Sequence, residues 1–264
     1  CSVRRQRQMC IRDRSEDEFT SEPDGLEESL EFDPADTSTD EVIYNHARFK
    51  KLMKQLKPES WKLTSKQRKA MEKVIKDNQE AFHLDGEPLK ATHLVEHDIQ
   101  LKDKDKVVFV KPRWTPIHQR PPIEAEVKGL LRHQLAVPTT SPHSSPVVLV
   151  KKKEKGKWRL AVDYRQLNKE TVPMYFPVPN LEEVVGKVAK SKIHSNMDLR
   201  SGFLQVLLKK NARLLSAFSC HLGHFMYNRM PFGMINAPFT MNKLMQQVYG
   251  ESSSFISYFF DDIF

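Results

Sequence analysis

The stretch that most restricts this chain is Phe255–Phe264, FISYFFDDIF, where two adjacent carboxylates, Asp261 and Asp262, follow a run of aromatic and β-branched residues. Runs rich in Phe, Ile and Tyr favour a strand. Adjacent aspartates inside a strand point to opposite faces. At a tight turn both can serve one spot, where divalent cations would offset their repulsion. The pattern therefore reads as strand, acidic turn and return strand. It is either an ordinary polar hairpin tip, since Asp is common in turns, or part of a metal site.

The chain has 264 residues, of which 39% are hydrophobic and 29% charged, so it can build a core. No apolar run approaches the roughly 20 residues of a membrane span, and no signal peptide is visible, so no membrane partner is expected. Three cysteines without metal or disulfide spacing suggest a reducing, intracellular setting. The net charge of +8 conceals three segments: residues 1–14 carry +4, residues 15–41 carry −12, and residues 42–264 carry +16. A body this basic suggests a polyanionic partner, nucleic acid being the commonest.

Residues 4–14, RRQRQMCIRDR, match the translation of a DNA string resembling the adaptor of transposase-based sequencing libraries. Residues 1–14 are therefore expected to be an adaptor-derived, non-native tail. Residues 15–45 are acidic with isolated apolar positions, and read as a disordered linker. A short basic helix is expected over Val42–Leu56. A stronger helix over Thr64–Phe82 has Thr64 or Ser65 as cap and Ala70, Met71, Val74, Ile75 and Phe82 near one face.

His93–His97, HLVEH, matches an H-x-x-E-H zinc-peptidase pattern, but that chemistry needs a helix and the composition here is strand-like. The four prolines of Lys111–Pro122 enforce an extended run, and Ile123–Leu135 has helical spacing. Pro138–Pro146 reads as a loop. Val147–Val150 and Trp158–Val162 form a hairpin whose tip, Lys151–Lys157, holds five lysines. A helix over Asn180–Ala189, strands over Ile193–Met197, Leu204–Leu208 and His224–Tyr227, and a helix over Asn236–Tyr249 complete the order. The mixture predicts an α+β fold, an antiparallel sheet backed by helices.

Asp198 ends its own strand, in NMDLRSGF, and alone would be an ordinary cap or turn aspartate. Beside Asp261 and Asp262 it supplies a second carboxylate-bearing strand end. Such ends side by side can hold two divalent ions ~3.5–4 Å apart, an arrangement suited to phosphoryl transfer. Lys152 and Arg159 of the lysine hairpin are candidates for gripping a triphosphate, Arg159 with bidentate geometry.

KKKEKGKWRLAVDYRQLN, MDLRSGF, NRMPFGMINAPFTMNKLM and FFDDI together resemble the successive motifs of a retroelement reverse transcriptase, most nearly those of gypsy-type long-terminal-repeat retrotransposon Pol polyproteins. The likeness covers roughly residues 80–264. It implies a right-hand polymerase with fingers and a truncated palm. The implied division is a helical N-terminal extension over 46–93, fingers over 94–172 and 206–235, and palm over 173–205 and 236–264. Carried over by motif, Asp198, Asp261 and Asp262 are the implied catalytic triad, holding two Mg²⁺ ions, with Mn²⁺ as the alternative. Lys152, Arg159, Ser201, Gly202, Phe203 and Phe232 are the implied dNTP-binding residues. Phe203 falls at the steric gate against a ribose 2′-OH, a rejection by clash.

The implied partners are an RNA or DNA template-primer and dNTPs, with protease, ribonuclease H and integrase elsewhere in the parent polyprotein. The implied location of the parent is a cytoplasmic virus-like particle. One departure is Phe259, where the family usually has Tyr; Tyr258 stands just before it. The motif order also implies that thumb and downstream domains lie beyond Phe264, leaving this fragment inactive alone. The alternative reading is a non-catalytic nucleic-acid-binding remnant of a decayed or domesticated element; a DNA-templated polymerase is a second rival.

Overall fold

A computed structural model describes residues 45–151, 158–175, 181–190, 195–252 and 254–264. The adaptor-like tail, nearly all of the acidic segment, Lys152 and most of the lysine tip lie outside the described residues. The described residues divide into two compact units, on either side of the Gln79–Glu80 bond.

In the first unit, α1 (His46–Leu56) starts at Asn45, whose side chain accepts from the Arg48 N–H at 3.0 Å. Helix α2 (Ser65–Asp77) starts at Thr64 in a capping box with Gln67. Such reciprocal caps satisfy N–H groups that the first turn cannot. The expected helix over Thr64–Phe82 is shorter than its pattern: Asn78 receives the chain, a 3-10 turn follows at Gln79–Ala81, and Val74 is exposed rather than on the packed face. Asn is a weak helix former, and here its side chain bonds back to the Val74 carbonyl at 2.9 Å.

The second unit begins with β1 (Thr92–His97), so HLVEH is a strand, as its composition suggested. Helix α3 (Arg120–Arg132) opens on Pro121 and Pro122, whose missing N–H groups cost nothing in a first turn. It starts and stops three residues before the apolar spacing indicated. Strands β2 (Ala136–Pro138), β3 (Ser145–Lys151) and β4 (Trp158–Val162) follow, then α4 (Arg165–Glu170), α5 (Leu181–Ala189) and β5 (Met197–Asp198). Residues 202–205 form a 3-10 turn before β6 (Val206–Leu208), so only the second half of the expected Leu204–Leu208 strand is extended. After them come α6 (Lys210–Leu215), β7 (Phe218–Cys220), β8 (Gly223–Tyr227), α7 (Ala237–Tyr249), β9 (Tyr258–Phe259) and β10 (Asp262–Ile263).

Among the described residues the strands form three sheets, ordered β1-β6, β5-β10-β9 and β2-β8-β7-β3-β4. The largest is antiparallel except where β3 meets β7, which run parallel; β1 and β6 are also parallel. Ala136–Pro138 pairs at an edge between the expected helix and the expected Pro138–Pro146 loop, and takes only Pro138 from that loop. Strand β7, helix α4 and helix α6 are too short to carry a periodic signal, and α4 lies in a charged stretch.

Phe218, Phe225 and Tyr227 pack ring against ring at 5.7 and 5.0 Å. In the same core Met230, Met241 and Met245 are fully buried. Burial of each such side chain contributes about 1.5–3 kcal/mol. Two buried polar side chains find partners within this core. Tyr164 donates its hydroxyl to the Ser216 carbonyl at 2.8 Å, and His97 Nδ1 lies 2.7 Å from Thr240 Oγ1 of α7. Burial pulls the His97 imidazole down to about 4, the nearby Asp98 charge opposing this, so the ring is neutral at pH 7.

Candidate active site

The Phe255–Phe264 stretch is the hairpin its sequence implied. Strands β9 and β10 pair as Phe259 with Asp262 and Tyr258 with Ile263, leaving a two-residue loop of Phe260 and Asp261. Phe260 has φ +55°, a left-handed conformation that two-residue hairpin loops require and that a bulky side chain adopts at a cost of about 1–2 kcal/mol. The pairing is reinforced beyond the strands: Ser257 and Phe264 exchange N–H···O bonds of 2.9 and 2.7 Å. Phe259 packs edge-on to Phe260 at 4.6 Å. The neighbouring Tyr258 stacks at 6.5 Å from Tyr249 of α7.

Strand β10 pairs on its other side with β5, in a register that sets Asp198 directly opposite Asp262. Directly opposed residues share a sheet face, and like charges so placed repel. Asp261 joins them through the main chain, its carbonyl accepting from the Leu199 N–H at 3.0 Å. Three acidic residues from positions over sixty apart thus meet at one sheet end. Partial burial raises the Asp198 carboxyl above the usual range, and the charges of Asp261 and then Asp262 add to this; Arg200 opposes it. That side chain bonds Asp85 at 3.3 Å.

Among the described residues no three His, Cys, Asp or Glu side chains are gathered closely enough to hold one metal ion. The backbones of the three aspartates are adjacent, but their side chains do not form such a group. Their all-oxygen donor set and mutual repulsion fit a hard divalent cation such as Mg²⁺.

Ser201 and Gly202 form the turn after β5. Ser201 has φ +48°, and its carbonyl accepts from the Leu204 N–H at 2.8 Å. The Gly202 N–H donates to the Leu199 carbonyl over a long 3.2 Å. Gly202 is buried against the acidic hairpin. A Cβ there would lie 2.7 Å from Met241 Cε and 3.2 Å from the Cβ atoms of both Asp261 and Leu199. Only a glycine lets this turn approach so closely. The Phe203 ring, packed against the core, lies 4.9 Å from the half-exposed Phe232 ring.

Arg159 is exposed on β4 opposite Val150. Lys152 lies outside the described residues, and the preceding Lys151 ammonium sits 5.6 Å from the Trp158 ring centre. Among the described residues no ion pair joins Arg159 to the aspartates. A cleft of about 680 Å³ opens beside Ser201, lined also by Trp158, Arg200, Leu204 and the α3 face from Pro122 to Leu130.

The sequence did not single out two features of the surroundings. Asp163, just after β4, accepts from Arg165 and from Arg113, and the Arg165 hydrogen bond foremost holds its carboxyl down at about 2. Asn168 of α4 and Asn236 ahead of α7 brace the loop that carries Phe232. Both asparagines lie in the reverse-transcriptase-like motif stretches, but Asn is so common in turns that residue type alone marks neither.

Residues 150–264 match the family model of the reverse transcriptase (RNA-dependent DNA polymerase). The chain is 31% identical over 223 residues to the retrovirus-related Pol polyprotein from transposon 412 of Drosophila melanogaster, covering 83% of this chain and 18% of that protein. It is 35% identical over 197 residues to the enzymatic polyprotein of Cauliflower mosaic virus (strain Strasbourg), covering 73% and 28%. The chain thus spans under a third of these relatives. In fold it is similar to a crystal structure of the prototype foamy virus protease-reverse transcriptase, with TM-score 0.69 and 19% identity over 80% of this chain and 28% of that one. The foamy viral enzyme in complex with an RNA/DNA hybrid gives TM-score 0.68 at 18% identity, with the same coverage.

Proposed function

Residues 150–264 belong to the reverse transcriptase family of retroelement polyproteins, and from that premise we propose that the parent enzyme extends a primer 3′-OH with dNTPs on an RNA template. The observation that carries the proposal is the register that opposes Asp198 to Asp262 beside Asp261. Asp198, Asp261 and Asp262 would hold two divalent ions, Mg²⁺ by preference. Bound there, such ions supply Lewis-acid stabilisation of the attacking and departing oxygens.

The remaining work belongs to the chain. The Ser201–Gly202 turn presents backbone N–H groups to the triphosphate, and Lys152 and Arg159 neutralise it from the fingers. Phe203, steadied by Phe232, closes the space beside C2′ and excludes ribonucleotides. Template and primer bind through backbone charge, so binding weakens with salt and tolerates any sequence. The fingers and palm divide as the motif order implies. The parent polyprotein carries protease, ribonuclease H and integrase and works in a cytoplasmic virus-like particle. No helix among the described residues is long and apolar enough to cross a membrane.

The test is primer extension by the full-length enzyme with Mg²⁺ on RNA and DNA templates. Extension on RNA that disappears in Asp261→Asn supports the proposal; undiminished extension by that variant rejects the assignment. Extension on DNA alone would favour a DNA-templated enzyme. The carboxylates that are not gathered around one point favour the second reading, a nucleic-acid-binding remnant without catalysis. Template binding without extension by the wild-type protein would support that reading.

A further inference from the structure

Phe232 has unusual support. Phe232 is 48% exposed and its close aromatic neighbour is Phe203, so side-chain packing alone does not fix it. The backbone around it is constrained instead. Asn168 donates its amide N–H to the Gly233 carbonyl at 2.8 Å and accepts the Ile235 N–H on its amide oxygen at 2.9 Å. One planar side chain thereby saturates a donor and an acceptor two residues apart, as a paired strand would. Gly233 has φ +93°, which fixes the kink that turns Phe232 outward. A second amide secures the loop's far end: Asn236 accepts from the Met174 N–H and donates to the Val172 carbonyl, both at 2.9 Å.

We propose that Asn168 is a positioning residue for sugar discrimination: its two-point clamp on Gly233 and Ile235 holds Phe232, and Phe232 in turn holds the Phe203 ring against the nucleotide's C2′. This rests on the reading of Phe203 as the gate. Asn168 itself touches no substrate. It sits within the short helix α4 and acts through two backbone groups of the loop. The two amides differ in consequence. Asn236 is 2% exposed, so its loss leaves buried groups unsatisfied and costs folding stability. Asn168 is part-exposed, so water can replace its bonds and the loss falls on loop position rather than on the fold.

Asn168→Ala and Asn168→Asp test this in the full-length enzyme; the aspartate keeps the acceptor for Ile235 and loses the donor to Gly233. Two readouts are needed. The first is amide hydrogen exchange at residues 232–235, which the alanine variant accelerates about tenfold or more while β7 and β8 stay protected. The second is steady-state kinetics with dNTPs and rNTPs. The KM for dNTP rises roughly tenfold, the size that two neutral hydrogen bonds allow, preference over rNTP falls several-fold, and kcat at saturating dNTP changes little. The aspartate variant falls between wild type and alanine on both.

Unchanged exchange at 232–235 overturns the clamp. Faster exchange with dNTP-to-rNTP preference intact overturns the link to discrimination, as does a uniform loss of activity that tracks melting temperature. A wild-type enzyme with no extension activity would reject the polymerase reading instead, and the exchange measurement would still decide whether Asn168 fixes the loop.

Discussion

The acidic hairpin and the Phe232 loop are held in opposite ways. At the hairpin the backbone is fully paired on both sides of β10, while the side chains repel each other. At the loop the backbone departs from regular structure and side-chain amides restrain it from outside. Rigid main chain under crowded charge suits a place where a cation is to be bound. Restrained main chain under a half-exposed ring suits a place that must fit a substrate's shape. Stability and function are therefore separable at both, but with opposite signs. On the proposed reading, removing a carboxylate should relieve repulsion and abolish activity, whereas removing an amide should loosen position.

The largest effect is expected from Asp261→Asn or Asp198→Asn. Primer extension by the parent enzyme should fall by about a thousandfold or more, since preorganised charge at a reacting centre contributes on that scale. Thermal stability without divalent ions should stay level or rise, because a like charge has gone. A melting temperature that falls along with activity would make these aspartates structural.

Next comes pH. The His97 imidazole is held down at about 4 in the folded protein against an ordinary 6.5. The unfolded chain therefore takes up a proton that the folded chain refuses between those values. Stability should be whole above pH 6.5 and fall as pH drops to about 4, by roughly 3 kcal/mol. Urea unfolding at pH 7 and pH 4.5 checks this, and His97→Gln should flatten the dependence. The acidic hairpin shifts the other way. A raised Asp198 favours the folded state at low pH, so the loss of stability between pH 6.5 and 4 comes from His97 and not from the hairpin, and the Arg-bonded Asp163 adds its own loss below that.

Gly202→Ala probes the contact between the turn and the hairpin. Met241 Cε can swing away, but the Cβ atoms of Asp261 and Leu199 must shift by a few tenths of an ångström. The cost in stability should be about 1 kcal/mol, with a larger proportional loss of extension because Asp261 moves. Equal losses in both would mean that the turn only packs. The smallest effect is expected from Phe203→Val: stability changes little, and rNTP incorporation rises against dNTP in single-nucleotide extension.

The hairpin was legible in the sequence because its signals are local: an aromatic run, two acids, and a turn. Trp158–Val162 and Ala237–Tyr249 were legible for the same reason, strand composition in one and periodic apolar residues in the other. The partnership of Asp198 with Asp262 followed only from assembling several motifs, since cross-strand register is not encoded near either residue. The parallel pairing of β3 with β7 and the two asparagine braces stayed hidden for a physical reason. Strands of three residues have no period, and an amide that bonds backbone leaves no preference for its partner's side chain. The Thr64–Phe82 helix was overrun because apolar spacing continues past Asn78, where the capping chemistry ends it.

The central claim is that Asp198, Asp261 and Asp262 act as one cation site. Carbon-13 NMR of the Asp198 carboxyl, titrated from pH 3 to 7 with and without Mg²⁺, tests it most directly. The account predicts a midpoint above the ordinary aspartate value without the ion, and a fall well below it once Mg²⁺ is present. An unshifted midpoint that ignores Mg²⁺ would contradict it.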